Sequence, residues 1–305
     1  MSTEIPGQIG PYRVQEQTGR ESGATLLRAV DPSGRPVTVR LLPARLAEDA
    51  AAFQRFRTDA AALAKEGQAN VLRILGSGQH EGRPYLALES FAGRPLAEVL
   101  RTRRLTTAEA FAVMKAVCRG LAHAHEHGVL HGHLWPQAVR VSADLSEVKL
   151  TDFAFSRLDA LGMTGTVSTG ALSLGAFHYL APEMMSDRPA DHRADLYSAG
   201  ALFQEMLTGR PPGERVGLPS QINSTLLPET DVVVLKCLAR NPLERYATAV
   251  DLLAALDRLE EAMKVRLLSE IRGITRPGGR GKALLWGAAA LLAAALAIAG
   301  FLLLR

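Results

Sequence analysis

The 305 residues are 47% hydrophobic and 22% charged, which supplies one two-lobed domain or two small ones and excludes a disordered chain. The net charge of +4 is concentrated late: residues 264–282 carry Lys264, Arg266, Arg272, Arg276, Arg280 and Lys282 against Glu270, a net +5, and Arg305 adds one, leaving residues 1–263 at −2. A near-neutral folded part without a basic stripe argues against a nucleic-acid partner, and Cys118 and Cys237, which lack any Cys-x-x-Cys spacing, read as buried thiols of a reducing compartment.

Residues 1–11 form an N-terminal tail without a basic start and apolar run, so no cleaved leader is expected. Residues 12–14, 24–30 and 36–42 predict strands, with turn signals at 19–23 and 31–34. Residues 47–65 predict a helix, because Phe53, Phe56, Ala60 and Leu63 recur at three- and four-residue steps. Residues 71–75 and 85–89 predict two further strands. A helix over 106–127 rests on Ala110, Val113, Met114, Val117 and Leu121. Five of the eight histidines lie between His123 and His133. His123 and His127 share a helical face, as a metal pair or, with no third ligand at a fixed offset, as side chains favoured by the helix dipole.

Next comes the loop His131-Gly-His-Leu-Trp-Pro-Gln-Ala138, then strands at 139–141 and 147–150 that run into Asp152-Phe153-Ala154. Residues 158–174, rich in Gly, Ser and Thr, predict a mobile loop; Thr164, Thr166, Ser168, Thr169 and Ser173 are either sites that a partner enzyme phosphorylates or ordinary loop polar residues. Ala181-Pro182-Glu183 follows, then a helix from Asp195 that ends in Gly209-Arg-Pro-Pro-Gly213, and two amphipathic helices within 230–259 around Asn241-Pro242.

The order of helix, His-x-x-Leu-x-Pro loop, strand, Asp-Phe-small residue and, about thirty residues on, Ala-Pro-Glu resembles the eukaryotic-type protein kinase family in the form common in bacteria. The resemblance covers residues 12–260. It implies an α+β, protein-kinase-like bilobal fold, with a β-rich N-lobe at 12–91 and a mainly helical C-lobe at 92–263. In the family the loop reads His-Arg-Asp-Leu-Lys-Pro-x-Asn: the Asp accepts the substrate hydroxyl proton, the Lys steadies the phosphoryl group and the Asn holds magnesium. Here those places carry His133, Trp135 and Ala138.

Other nucleotide positions of the family are altered as well. Of the glycine-rich turn only Gly19 is in place, since Glu21 and Ala24 stand at the other two glycines; the stretch is an ordinary hairpin turn or a shifted loop using Gly23. The phosphate-gripping lysine is Arg40, and Thr38 replaces the small residue under the adenine, so both crowd a nucleotide. Asp59 takes the place of the helix glutamate, either as an ion pair with Arg40 or as a solvated carboxylate. Leu88 falls at the gatekeeper position and Glu89 at the hinge. Arg140 replaces an apolar residue beneath the base, where a guanidinium either stacks on the purine or, the favoured reading, excludes it. Asp152 keeps the metal-binding aspartate while Ala154 loses the following glycine, and Ala176 lacks the family's hydroxyl. The structural partners are kept by contrast: Glu183 with Arg245, Asp195 beneath the catalytic loop, and Leu63, His131 and Phe153 in the hydrophobic spine.

Residues 264–282 read as a basic flexible juxtamembrane linker. Residues 283–304 are 22 uncharged residues with eight leucines, long enough at about 1.5 Å per residue to cross a hydrocarbon layer of roughly 30 Å as one transmembrane helix. The basic flank places the kinase-like domain on the cytoplasmic side. The expected function is that of a membrane-anchored pseudokinase acting by partner binding or regulation, with neither ATP nor magnesium as a cofactor. Its expected partners are a protein (an active kinase or its substrate), inner-membrane lipids, and a second copy through the small residues Ala289, Ala293 and Ala297. The alternative is a weak or atypical ATP-dependent serine/threonine kinase in which His133 is the base and Asp152 holds one magnesium ion.

Overall fold

The structure, a computed structural model, describes residues 6–21, 24–48, 50–153, 176–185, 190–213 and 217–274. The chain divides into two compact units, Met1–Leu256 and Asp257–Arg305.

The first unit begins with a six-stranded antiparallel sheet of order β1-β2-β3-β4-β6-β5. Its strands are β1 (Gln8–Ile9), β2 (Tyr12–Glu21), β3 (Ala24–Val30), β4 (Pro36–Leu41), β5 (Ile74–His80) and β6 (Arg83–Glu89). Alternation along β4 turns Val37, Val39 and Leu41 to one face, where they join Ile9, Tyr12, Leu27, Ala29, Tyr85 and Ala87 in one cluster. Helix α1 (Ala50–Lys65) buries Phe56, Ala60 and Leu63, the stripe its sequence period specifies.

Two boundaries differ from expectation. Gly19 lies inside β2, opposite Leu26, because the β2–β3 ladder continues to the Glu21–Ala24 pair; of the expected turn at 19–23, residues 19–21 are strand and 22–23 lie outside the described residues. The strand expected at 71–75 starts at Ile74. Residues 70–72 are used to bridge the lobes instead, for Leu72 N–H donates to the Leu150 carbonyl at 2.8 Å and Leu150 N–H donates to the Asn70 carbonyl at 2.8 Å.

The C-lobe holds a second, three-stranded sheet of β7 (Arg94–Pro95), β8 (Val139–Val141) and β9 (Val148–Leu150). Helix α2 (Leu96–Thr102) leads to α3 (Thr107–Glu126), which starts on a complete capping box between Thr106 and Glu109. Phe111 of α3 meets Phe203 edge-on, at 5.2 Å between centroids. Phe203 lies on α4 (Arg193–Thr208), buried along nearly its whole length and closed by Gly209, whose left-handed φ of 65° suits glycine. Short α5 (Pro219–Ile222) and α6 (Pro228–Cys237) follow.

Helix α7 (Ala249–Ile274) begins in the first unit and ends in the second. The segment 264–274, expected as the start of a flexible linker, is therefore helical: it has no Gly or Pro before Gly273, and good helix formers continue the apolar period. Among the described residues no helix is long and apolar enough to cross a membrane. The segment 283–304 lies outside them, as do residues 275–282, the loop 158–174 and Ala154.

Candidate active site

The loop 131–138 runs from the end of α3 to β8, and a carboxylate beneath it fixes its backbone. Asp195, in the first turn of α4 and buried, accepts the His131 N–H at 2.9 Å, the Gly132 N–H at 2.6 Å and the His125 Nε2 at 2.8 Å. Burial alone raises its pKa; the His125 bond and charge, the His131 ring and the Gly132 N–H outweigh that and hold it below the usual carboxylate value. Gly132 has φ 69°, a conformation that few residues besides glycine adopt. The His131 ring packs 4.6 Å from the Phe153 ring, and Leu63, His131 and Phe153 are all buried.

The second expected support is also present. Arg245 Nη1 and Nη2 donate to the two Glu183 carboxylate oxygens at 2.5 and 2.8 Å, while its Nε and Nη1 also reach the Ala239 and Arg193 carbonyls at 2.9 and 3.0 Å. This two-pronged geometry with extra acceptors makes a buried ion pair specific.

The cleft-facing side of the loop is different. His133 is buried, stacks on half-buried Trp135 at 5.6 Å between centroids, and leaves Nε2 without a hydrogen-bond partner among the described residues. Burial, and next the His131 ring, push its imidazole down to about 4, so it is neutral near pH 7 and a weak acceptor for a hydroxyl proton. Ala138 is buried and offers a methyl group where a ligand oxygen would be needed.

The retained Asp152 forms a buried ion pair with Arg40 Nη1. Asp59, the other carboxylate weighed for Arg40, sits half-buried on α1, and the guanidinium reaches Asp152, 112 residues away in the chain. An arginine is long enough to do this, and its planar fork suits a carboxylate. Asp152 also holds φ 69°, a left-handed conformation that costs most residues energy and that Asp tolerates better than most.

The base-binding region carries charge. Leu88 is buried between Thr38 and Ile74, and Glu89 Oε1 accepts from Lys149 Nζ at 2.7 Å and from the Arg73 N–H at 3.1 Å. Lys149 on β9 pairs in register with half-buried Arg140 on β8, between the buried Val139 and Val141. Sequence reasoning missed the Lys149–Glu89 pair. The period-2 pattern Val-Lys-Leu was its signal, since it puts Lys149 on the face opposite its buried neighbours. Gly19 has open space around it and lies in strand β2, near its end.

The donor set that holds a magnesium-bound nucleotide in the family is altered here. The Asp152 carboxylate pairs with Arg40, residue 138 ends in a methyl group, and Arg140 and the Lys149-paired Glu89 put charge at positions that face the base in the family. Among the described residues no three His, Cys, Asp or Glu side chains come together as a metal site, and His127 Nδ1 is engaged by the His123 carbonyl at 2.8 Å.

Comparison with known proteins gives the following. Residues 12–254 match the protein kinase domain. Serine/threonine-protein kinase PknL of Mycobacterium tuberculosis is 33% identical over 268 residues, covering 83% of this chain and 66% of that protein. Serine/threonine-protein kinase PknB of Mycolicibacterium smegmatis is 32% identical over 247 residues, covering 74% of this chain and 39% of that protein, so the chain spans only part of each relative. The crystallised kinase domain of Mycobacterium tuberculosis PknI superposes with a TM-score of 0.70 at 21% identity, over 84% of this chain and 100% of that domain, a likeness of fold.

Proposed function

Because this chain belongs to the protein kinase family, with the bilobal fold and serine/threonine-kinase relatives, we propose that it is a kinase-fold signalling module whose phosphate-transferring machinery has lapsed and which works by binding a protein partner. The observation that carries this reading is the buried Arg40–Asp152 pair: an internal guanidinium stands against the carboxylate on which a metal ion would depend. His133 and Ala138 remove the base and the second metal ligand from the same wall. Loss of a general base typically costs about 10²–10⁴ in rate, and loss of placed charge a similar factor. The apolar segment 283–304 anchors the module at the cytoplasmic face of the membrane, and the partner is an active kinase or a kinase substrate.

A second reading, a weak serine/threonine kinase, is favoured by the names of the relatives at 32–33% identity and by the retained Asp152. It requires Arg40 to release Asp152 and His133 to act as the base. The test is transfer of radiolabelled γ-phosphate from ATP, with magnesium or manganese, onto the chain itself or a generic acceptor protein. The first reading expects no label above that seen with the Asp152→Asn variant. Label that depends on Asp152 establishes the second.

A further inference from the structure

The C-terminal turns of α7 expose two large apolar side chains on one helical face: Val265 is 58% and Leu268 55% exposed, three residues apart. Lys264 and Arg266 stand beside them in sequence, and residues 264–282 carry a net +5. An apolar pair beside basic residues suits the boundary between acyl chains and anionic headgroups better than water. Chain length narrows the occupant further. Eight residues, 275–282, separate the end of α7 at Ile274 from the apolar segment at Ala283. They reach at most about 27 Å when fully extended, and roughly 16 Å as a Gly-rich coil. The stretch 264–274 is itself about 16 Å long.

We propose that residues 264–274 lie along an anionic bilayer surface, with Val265 and Leu268 inserted below the headgroups and Lys264 and Arg266 among the lipid phosphates and carboxylates. The helix is then a membrane-contact element rather than a slack tether. This inference rests on the reading of 283–304 as a membrane span.

The test uses the full chain in vesicles of phosphatidylcholine with phosphatidylserine, carrying a nitroxide at Leu268→Cys or, as control, at Val250→Cys, which is 54% exposed near the start of the same helix. Cys118 and Cys237 are buried, and burial pushes the Cys237 thiol up to about 12, so neither competes for label. The expected result is that the chain floats with the vesicles and the label at 268 is several-fold more accessible to oxygen than to a water-soluble nickel chelate, while the label at 250 reports water. Flotation with both labels reporting water overturns the inference and leaves the anchor intact. Failure to float overturns the anchor and the inference together.

Discussion

Two ion pairs divide this molecule. In the C-lobe, Arg245 meets Glu183 through both nitrogens and spends further donors on two backbone carbonyls, while Asp195 accepts two loop N–H groups and a histidine. Every one of these partners is protein, so the arrangement is complete without a ligand. Across the cleft the pair is Arg40 with Asp152, joining a strand of one lobe to the loop of the other. Beside it His133 Nε2 is buried without a partner among the described residues. The residues whose family partner is the protein itself are kept, while of those that face nucleotide or metal in the family Asp152 is kept and Arg40, His133, Trp135 and Ala138 are exchanged.

Variants that attack each pair separately sharpen this contrast. The largest effect is expected for Arg245→Ala, which leaves Glu183 charged in a partly buried place and costs roughly 3–5 kcal/mol, read as a drop in urea midpoint. A loss below about 1 kcal/mol would rank the pair with exposed surface bridges. In the cleft, Arg40→Met or Asp152→Leu alone costs roughly 3 kcal/mol, whereas the double variant recovers most of it, because a buried pair is replaceable by apolar groups of similar volume. Losses that simply add would show that the two side chains do not act as a pair.

The third effect depends on pH. Folded His133 titrates near 4, against 6.5 for an ordinary histidine, so the folded chain binds fewer protons. Its contribution is complete above about pH 6.5 and is lost as the pH falls through about 4, a span worth roughly 3 kcal/mol. Buried His131 is shifted the same way, mainly by desolvation, so His133→Gln flattens the acid slope of the unfolding free energy without abolishing it. An unchanged slope would place His133 in water. The smallest effect is at the α3 capping box, where Thr106→Ala costs about 1 kcal/mol; it checks that helix strength and cleft chemistry are separable, since nucleotide behaviour should not change.

Much of the architecture was legible in the sequence because it rests on local patterns. The helix expected over 106–127 and the strand expected over 139–141 coincide with α3, its two caps included, and with β8, since apolar period and capping residues fix them. The supports Glu183–Arg245 and Asp195 were found through the resemblance. What the residues could not convey was that Arg40 meets Asp152: the two lie 112 residues apart in the chain, and only the folded arrangement brings them together. The helix continuing through 264–274 was read as linker because its charges were weighed more heavily than its helix-forming residues.

The most direct measurement is the melting temperature of the full chain against increasing ATP with magnesium. A ligand that binds only the folded state stabilises it by RT ln(1 + [L]/Kd), so occupancy of the cleft has to appear as a concentration-dependent rise. With Arg40 holding Asp152, the melting temperature stays flat through millimolar nucleotide. A steady rise that disappears in Asp152→Asn would contradict the account, because it would mean that the carboxylate serves a metal and not the guanidinium.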